Sequence, residues 1–509
     1  MGRTAWGNTV VKRAGGALLQ SIAIDREASH GLSVQICAHL REFIMSGSLE
    51  AGGRLPSTRT LANELNVARA TIVECFDQLA AEGLIESRVG AGTYVSQVLR
   101  TERPPVAPQM PVVSEKSARL AQSMTSASSR FVPRLVHEPR AFTTAIPAYD
   151  AFPMAQWARL SGKHWREARK DVLGYPDPHG HDLLRKAIAS HLRTNRGIRC
   201  DWQQIFIVAG AQQAFQLIAS TLIDPGDKVW FEDPGAIGAR NSFVVSGADL
   251  VPVRVDDDGL DVDDALRKAP DFRLAFVTPS HQQPLGVSMA LERRVALLAA
   301  AEQRGAWIIE DDWDGEFCFS GLPMPTLQSM DQAGRVIYVG SFSKSLFPSL
   351  RLGFILAPPA LTDHFRTSLE AFLPGVPTAI QAIVADFIIE GHFATHIRRM
   401  RKTYHERYQT LYQGVQKHLA DVLDIRPATT GMHTVAYLAP GLNAEAVARR
   451  AAERGVTLTP IGRFCIAPND RQGFALGFSG FSPAQIEAGI ATLKDVFADL
   501  TPAACAKSA

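Results

Sequence analysis

Tyr338-Val339-Gly340-Ser341-Phe342-Ser343-Lys344-Ser345-Leu346-Phe347-Pro348-Ser349-Leu350-Arg351-Leu352-Gly353-Phe354 is the stretch whose reading decides the fold. A short apolar strand ends at Val339. A turn of small residues then presents hydroxyls and one lysine, and an arginine follows. A lysine that condenses with an aldehyde must be held rigidly and lose its proton easily, and a buried turn arranges both. Ser341 and Arg351 offer what a phosphate takes, a hydroxyl donor and a planar fork of N–H groups. A lone Ser-x-x-Lys match would be read as a surface loop. The strand before it and the arginine after it reverse that reading.

Working outward, residues 140–500 alternate strands and helices in the manner of an α/β fold. Ile205–Val208, Lys228–Phe231, Leu274–Val277, Ala306–Glu310 and Val336–Val339 are strand candidates. After the first of these, Gly210-Ala211-Gln212 forms a small-residue turn into a helix, where backbone N–H groups and the helix dipole suit a phosphate. Ala306–Asp314 ends an apolar strand in carboxylates, including Asp311, Asp312 and Asp314. Such a cluster is either a solvated strand end, a metal site, or a partner for a protonated ring nitrogen. The absence of nearby histidines in sequence favours the last. The region from Ile397 to Leu419 is helical and opens a C-terminal subdomain that closes on the helix Pro483–Phe497.

The Ser-Phe-Ser-Lys turn, with its strand and its Leu-Gly-Phe sequel, resembles the Schiff-base lysine segment of fold-type I pyridoxal 5'-phosphate (PLP) enzymes, the aspartate aminotransferase superfamily. The resemblance implies that Lys344 holds PLP and acts as the catalytic lysine, and that Asp311 faces the pyridine nitrogen. It assigns the phosphate to Ser341, Arg351, Gly210, Ala211 and Gln212. Thr278-Pro279-Ser280-His281-Gln282-Gln283-Pro284-Leu285-Gly286 looks like the turn whose amide meets the ring's phenolic oxygen, with Gln282 first choice and Gln283 second. Leu173-Gly174-Tyr175-Pro176-Asp177-Pro178-His179-Gly180 is similar to the segment whose tyrosine, here Tyr175, reaches the neighbouring subunit's phosphate.

Residues 30–97 read differently. Apolar residues recur at helical spacing from Leu32 to Met45, and Gly52-Gly53 ends that element. Leu55-Pro56-Ser57 opens a second helix with Ser57 as N-cap, and Ala68–Glu82 forms a third with Ile72, Phe76 and Leu79 inward. Two alternating pieces around Gly90-Ala91-Gly92 make a hairpin. Three helices and a hairpin make a winged helix-turn-helix. Arg54, Arg59 and Arg69 surround its second helix, Arg69, Ala70 and Thr71 lead the third into a major groove, and Arg88 and Gly92 place the wing on phosphates. The run Gly52-Gly53-Arg54-Leu55-Pro56-Ser57-Thr58-Arg59 through Gly90-Ala91-Gly92-Thr93 closely resembles the GntR-type DNA-binding domain. Ala68 and Ala70 stand where that family commonly has Ser and Asn.

Between head and body, residues 98–139 form a linker, stiffened by Pro104, Pro105, Pro108 and Pro111 and loosened by Ser123, Ser126, Ser128 and Ser129. Head, linker and body in this order resemble the MocR subfamily of bacterial regulators, which includes the GabR type. The implied partners are double-stranded DNA, a small-molecule effector and a second copy in a homodimer. At 509 residues the chain holds more than one domain, and its net charge of +2 says nothing of partners. Six cysteines without C-x-x-C spacing give no metal or disulfide framework. No apolar run spans a membrane and no signal peptide is read, so the expected location is the cytoplasm.

Four positions depart from the family pattern. Ala236 replaces an aromatic expected over the ring, and Gly238 stands where GabR-type proteins carry a ligand arginine. Trp313 replaces a phenol by an indole donor, and Ala475 replaces the arginine that grips a substrate's α-carboxylate. Cofactor anchors are kept while amino-acid anchors are thinned. The expected function is a PLP-binding, DNA-binding transcriptional regulator sensing an amine, an amino acid or a B6 vitamer. The alternative is an active aminotransferase with an accessory DNA-binding head. Arg463 is the residue that could replace the missing carboxylate anchor, and Ala475→Arg is expected to restore affinity if the pocket is otherwise intact.

Overall fold

The computed structural model describes residues 22–88, 90–97, 121–135, 137–166, 170–320 and 324–500. The linker prolines Pro104, Pro105, Pro108 and Pro111 fall outside them. The chain divides into two compact units, with the boundary between Ala118 and Arg119.

The first unit is built from α1 (Leu32–Met45), α2 (Thr58–Glu64), α3 (Arg69–Ala81), β1 (Ile85–Arg88) and β2 (Gly92–Val95). Ser57 caps α2 by accepting from the Thr60 N–H at 3.1 Å. Ala68 precedes α3 with no side-chain cap, so that helix starts on backbone geometry alone. Ile36, Leu40, Ile44, Leu61, Ile72, Phe76 and Leu79 form the core, each contributing about 1.5–3 kcal/mol by burial. Val34, one of the apolar residues between Leu32 and Met45, is exposed, and Cys37 is buried. β1 and β2 pair antiparallel, Arg88 opposite Gly92, and Gly92 at φ +109° adopts a conformation closed to other residues.

In the second unit the serine-rich stretch forms a helix, α4 (Gln122–Ser128), instead of a loose tether. It has few apolar residues, but Ala127 is fully buried in the body, and that docking supplies what propensity does not. The body then runs through α5 (Asp182–Arg196), β3 (Ile205–Val208), α6 (Ala211–Leu222), β4 (Lys228–Asp233), α7 (Ile237–Val245), β5 (Asp249–Asp256), β6 (Gly259–Leu260), β7 (Leu274–Val277), β8 (Trp307–Asp312), β9 (Val336–Ser341), the one-turn α8 (Phe342–Ser345) and β10 (Gly353–Leu356).

These strands form one sheet in the order β3-β10-β9-β8-β7-β4-β5-β6. The inner run from β9 to β5 is parallel, whereas β10 is antiparallel to both β9 and β3. Two reversals give β3 the direction of β9. The turn after β3 therefore opens on the same sheet edge as the carboxyl ends of β4, β7, β8 and β9, where ligands of open α/β sheets bind. The sheet is covered on both faces, as a parallel sheet requires. Along β3, Ile205 and Ile207 enter one core and Phe206 and Val208 the other. A long helix, α9 (His392–His418), leads to a four-stranded antiparallel sheet, β11 (Leu423–Ile425), β12 (His433–Leu438), β13 (Thr459–Pro460) and β14 (Gly473–Gly477), ordered β11-β12-β14-β13. The terminal helix α10 (Pro483–Leu500) packs beside α9.

Candidate cofactor site and nucleic-acid face

Lys344 sits in α8, a single turn capped by Ser341, whose hydroxyl accepts from the Ser343 N–H at 3.2 Å. The lysine Nζ donates to the Ala145 carbonyl at 3.0 Å. Ala145 holds φ +63°, uncommon for an alanine, which points to a backbone fixed by its surroundings. Burial pulls the Lys344 pKa down from 10.5 to about 8; Arg134 adds to the fall, while Asp314 and Asp311 oppose it. A lysine in this state is a nucleophile near neutral pH.

Asp311 lies at the end of β8, in register with Val339 of β9. It is buried, and its Oδ1 has no hydrogen-bond partner. Burial raises its pKa well above the ordinary carboxylate value, and the neighbouring Asp312, Asp314 and Glu232 raise it further. Asp312 is spent elsewhere, accepting from buried Arg196 and from Tyr338, each at 2.5 Å. The two adjacent carboxylates thus differ: Asp312 has Oδ2 paired and Oδ1 without a partner, whereas Asp311 accepts no hydrogen bond among the described residues.

The turn after β3 brings Gly210 (φ +89°) to the N-terminus of α6. A Cβ there would lie 3.7 Å from the Arg351 guanidinium, which donates to the Ala209 carbonyl at 3.0 Å. Ser341 pairs in register with Gly353, which packs against Gly210, so Ser341, Gly210 and Arg351 are brought to neighbouring strand ends; N–H and O–H donors grouped in this way suit a phosphate. The Gln212 side chain turns away from it, donating to Gly238 O at 2.9 Å and Ser242 Oγ at 2.5 Å.

Two expected ring contacts are placed differently. Gln282 is buried with its amide consumed: Nε2 donates to Glu232 at 3.1 Å and Pro234 O at 2.8 Å, and Oε1 accepts from the Leu285 N–H. Gln283 is half-buried and makes no side-chain hydrogen bond among the described residues, so the second choice is the amide left available. Trp313 donates its indole N–H to His281 O at 2.9 Å and stacks on the His281 and His433 rings, so its donor is also spent.

Sequence reading missed a buried group of His281, Asp314 and His433 that β12 and the loop after β7 bring together, with one ligand atom from each within 4.8 Å of the others. His281 Nδ1 bonds Asp314 at 2.7 Å and His433 Nε2 bonds Pro284 O at 2.8 Å. His433 is remote in sequence, and nothing local announces the meeting. Tyr175 is fully exposed on the single chain.

The family departures are repacked from within. A Cβ at Gly238 would meet Gln212 Oε1 at 2.7 Å, so the glycine and Gln212 fit each other. Ala475 is buried on β14 opposite Val435 and Thr459. Val435 packs with Leu285 and Ile461 in an apolar cluster. An arginine at position 475 would start beside this cluster. Arg463 is engaged elsewhere; its Nη2 donates to Pro133 O at 3.2 Å.

On the head, Arg54, Ser57, Arg59, Arg69 and Ala70 are exposed, and Thr71 is half-buried. Arg69 Nε donates weakly to Thr58 Oγ1 at 3.4 Å, joining α3 to the start of α2. The Arg54 guanidinium lies against Gly92, where a Cβ would be 3.0 Å from its Nε. Arg88 stacks over Tyr94 at 4.6 Å and pairs with Glu86. One exposed face of α3 carries Arg69, Ala70 and Val73, with Glu74 and Asp77 behind them.

Residues 32–95 match the family of bacterial regulatory proteins of gntR type, and residues 145–481 match aminotransferase class I and II. The chain is 41% identical over 484 residues to the "Probable rhizopine catabolism regulatory protein MocR" of Rhizobium meliloti, covering 94% of this chain and 96% of that protein. It is 33% identical over 477 residues to the "Uncharacterized HTH-type transcriptional regulator YhdI" of Bacillus subtilis (strain 168), covering 94% and 98%. Among solved structures it is similar to LysN, the α-aminoadipate aminotransferase of Thermus thermophilus complexed with N-(5'-phosphopyridoxyl)-L-leucine, with a TM-score of 0.68, 26% identity, and coverage of 75% of this chain and 99% of that one. No described helix is long and apolar enough to cross a membrane. A winged-helix head joined to a fold-type I body, matched end to end by regulators of the same build, places this chain in the MocR subfamily of GntR-type transcriptional regulators.

Proposed function

We propose that this regulator binds pyridoxal 5'-phosphate on Lys344 and uses the bound cofactor to sense a small amine-bearing effector. One observation carries the reading: the buried Asp311 oxygen without a partner, on the strand beside the lysine turn. A protonated pyridine nitrogen is the donor that such a carboxylate lacks. The donor cradle of Ser341, Arg351 and the Gly210–Gln212 backbone fits a phosphate, and Gln283 is the amide available to the phenolic oxygen. When bound, the cofactor supplies an electrophilic carbon that amines attack. The chain's own residues orient it, lower the Lys344 pKa to about 8 so that the amine is freed more readily, and exclude water at Asp311.

The protein works as a cytoplasmic homodimer in which exposed Tyr175 reaches the partner subunit's phosphate. The head lays Arg69 and Ala70 into the major groove, with Arg54, Arg59, Arg88 and Gly92 along phosphates. Effector binding shifts the heads between DNA-bound arrangements through its differential affinity for two states. The thinned substrate anchors favour this sensing role over turnover.

The test is spectroscopic. The purified protein should carry a visible absorption band that borohydride abolishes, and Lys344→Ala should lose it. A Lys344→Ala protein that retains a borohydride-sensitive band would refute the assignment.

A further inference from the structure

We propose that His281, Asp314 and His433 form a binding site for a divalent transition-metal ion of the zinc type, and that the ion clips the C-terminal subdomain to the edge of the large sheet. The site uses none of the residues assigned to the cofactor.

His281 follows β7 and Asp314 follows β8, both beyond the carboxyl ends of parallel strands, whereas His433 opens β12 of the small sheet. The side chains of His281 and Asp314 are wholly buried, and His433 is 2% exposed. One ligand atom from each lies within 4.8 Å of the others. The centres of the two imidazole rings stand 4.7 Å apart, and Trp313 stacks on both. The backbone is shaped to this packing: Gly431 (φ +86°) lies so close to the His281 ring that a Cβ there would collide with it.

The hydrogen bonds of the cluster leave lone pairs in surplus. Carboxylate and carbonyl oxygens only accept, so His281 Nδ1 donates to Asp314 Oδ2 at 2.7 Å and His433 Nε2 donates to Pro284 O at 2.8 Å. In a neutral imidazole the other nitrogen then carries a lone pair. Those nitrogens, His281 Nε2 and His433 Nδ1, are buried without a hydrogen-bond partner among the described residues, and so is Asp314 Oδ1. The Met432 N–H lies near Asp314 and favours its ionised form. Buried polar groups are nearly always satisfied, and three left over as electron-pair donors in one cluster are the complement of a cation. Two imidazoles and a carboxylate are a zinc-type donor set; zinc holds such atoms at about 2.0–2.2 Å, which spaces them about 3.3–3.6 Å apart in a tetrahedron. Ligand atoms already within 4.8 Å reach that spacing by a contraction of about 1.5 Å or less. An ion held this way ties the start of β12 to the loops that follow β7 and β8. The two sheets are then joined by coordination bonds where they otherwise meet through single hydrogen bonds, such as Gly431 N to Phe317 O at 3.1 Å.

The full-length protein is produced with zinc chloride in the medium and passed through gel filtration in metal-free buffer, and its metal content is read by atomic emission. Thermal melts follow with and without EDTA. The parent should retain about one zinc ion per chain, and chelation should lower its melting temperature by roughly several degrees, the effect of removing a ligand bound only by the folded state. His433→Gln and Asp314→Asn, each close in volume to the residue replaced, should lose that ion and should melt at the same temperature with and without EDTA. A parent that retains no zinc, or whose melting temperature EDTA leaves unmoved, overturns the proposal, the surplus lone pairs then being met by water. So does zinc retained equally by the parent and both variants, which marks an adventitious surface ion. The parent's own content and melts decide the question even where a substitution at these buried positions prevents folding.

Discussion

Asp311→Asn should move the two forms of this protein in opposite directions. Without cofactor, the buried carboxylate has an oxygen with no partner and faces Asp312, Asp314 and Glu232. Leaving such a group unsatisfied costs about 1–3 kcal/mol. Asparagine removes the like-charge repulsion at nearly constant volume, so the cofactor-free variant should melt a few degrees higher than the parent. The sign of the pH dependence follows. Asp311 has a folded pKa above its ordinary value of 3.8, so its stability contribution is complete below that value and lost as pH rises through the folded pKa. Glu232 and Glu310, both raised to about 7 by burial, slope the same way, and the difference between variant and parent isolates Asp311. The stabilisation by Asp311→Asn should therefore be small near pH 4 and grow toward pH 8. With cofactor the sign reverses. Removing one partner of a buried ion pair costs about 3–5 kcal/mol, or two to more than three decades in Kd. Thermal melts with and without PLP between pH 4 and 8, and equilibrium dialysis for PLP, measure both halves. A variant that is less stable without cofactor, or that binds PLP as tightly as the parent, would refute the role given to this carboxylate.

The remaining predictions test single groups. Borohydride-trapped incorporation of PLP should rise with pH around a midpoint of about 8, the value to which burial lowers Lys344, rather than near 10.5; mass spectrometry of the labelled peptide reads it. Gln283→Ala should shift the visible band while Gln282→Ala, which opens a buried network around Glu232, should mainly lower the melting temperature. Arg69→Ala should cost about 1–3 kcal/mol in binding to a selected operator and relax one base position, whereas Arg59→Ala should weaken binding to all sequences and reduce the salt slope. Unchanged binding in both would remove the groove assignment. Ala475→Arg should destabilise by about 1–3 kcal/mol through overpacking without tightening amino-acid binding, and a gain in amino-acid affinity would show that the space beside Val435 is open.

What the sequence made legible was whatever is written locally. Strand, small-residue turn and helix start appear in one stretch at Val336–Ser345 and again at Ile205–Leu222, and both elements formed where their pattern placed them. The head was legible because each helix carries its own cap or apolar period. Illegible were choices between neighbours. Gln282 and Gln283 have the same chemistry, and only the positions of Glu232 and Pro234 decide which amide is consumed. Trp313 read as a donor toward a ligand, but His281 O and His433, distant in sequence, absorb it. The serines after residue 120 read as flexible because their composition is polar. One buried alanine against the body was enough to set them in a helix.

The departures from the aminotransferase pattern acquire one physical meaning when taken together. Gly238 accommodates Gln212, Ala236 is buried at the start of α7, and Ala475 lies against a closed apolar cluster. Of the three, Gly238 is matched by a specific neighbour, since a Cβ there would meet Gln212. An enzyme spends binding energy on interactions that strengthen in the transition state. A sensor needs interactions that differ between two conformations of the protein itself. A fixed arginine on β14, rigid in a paired strand, suits the first task because it would hold a carboxylate identically in every state. Ala475 on that strand provides no such fixed anchor, which favours the second task.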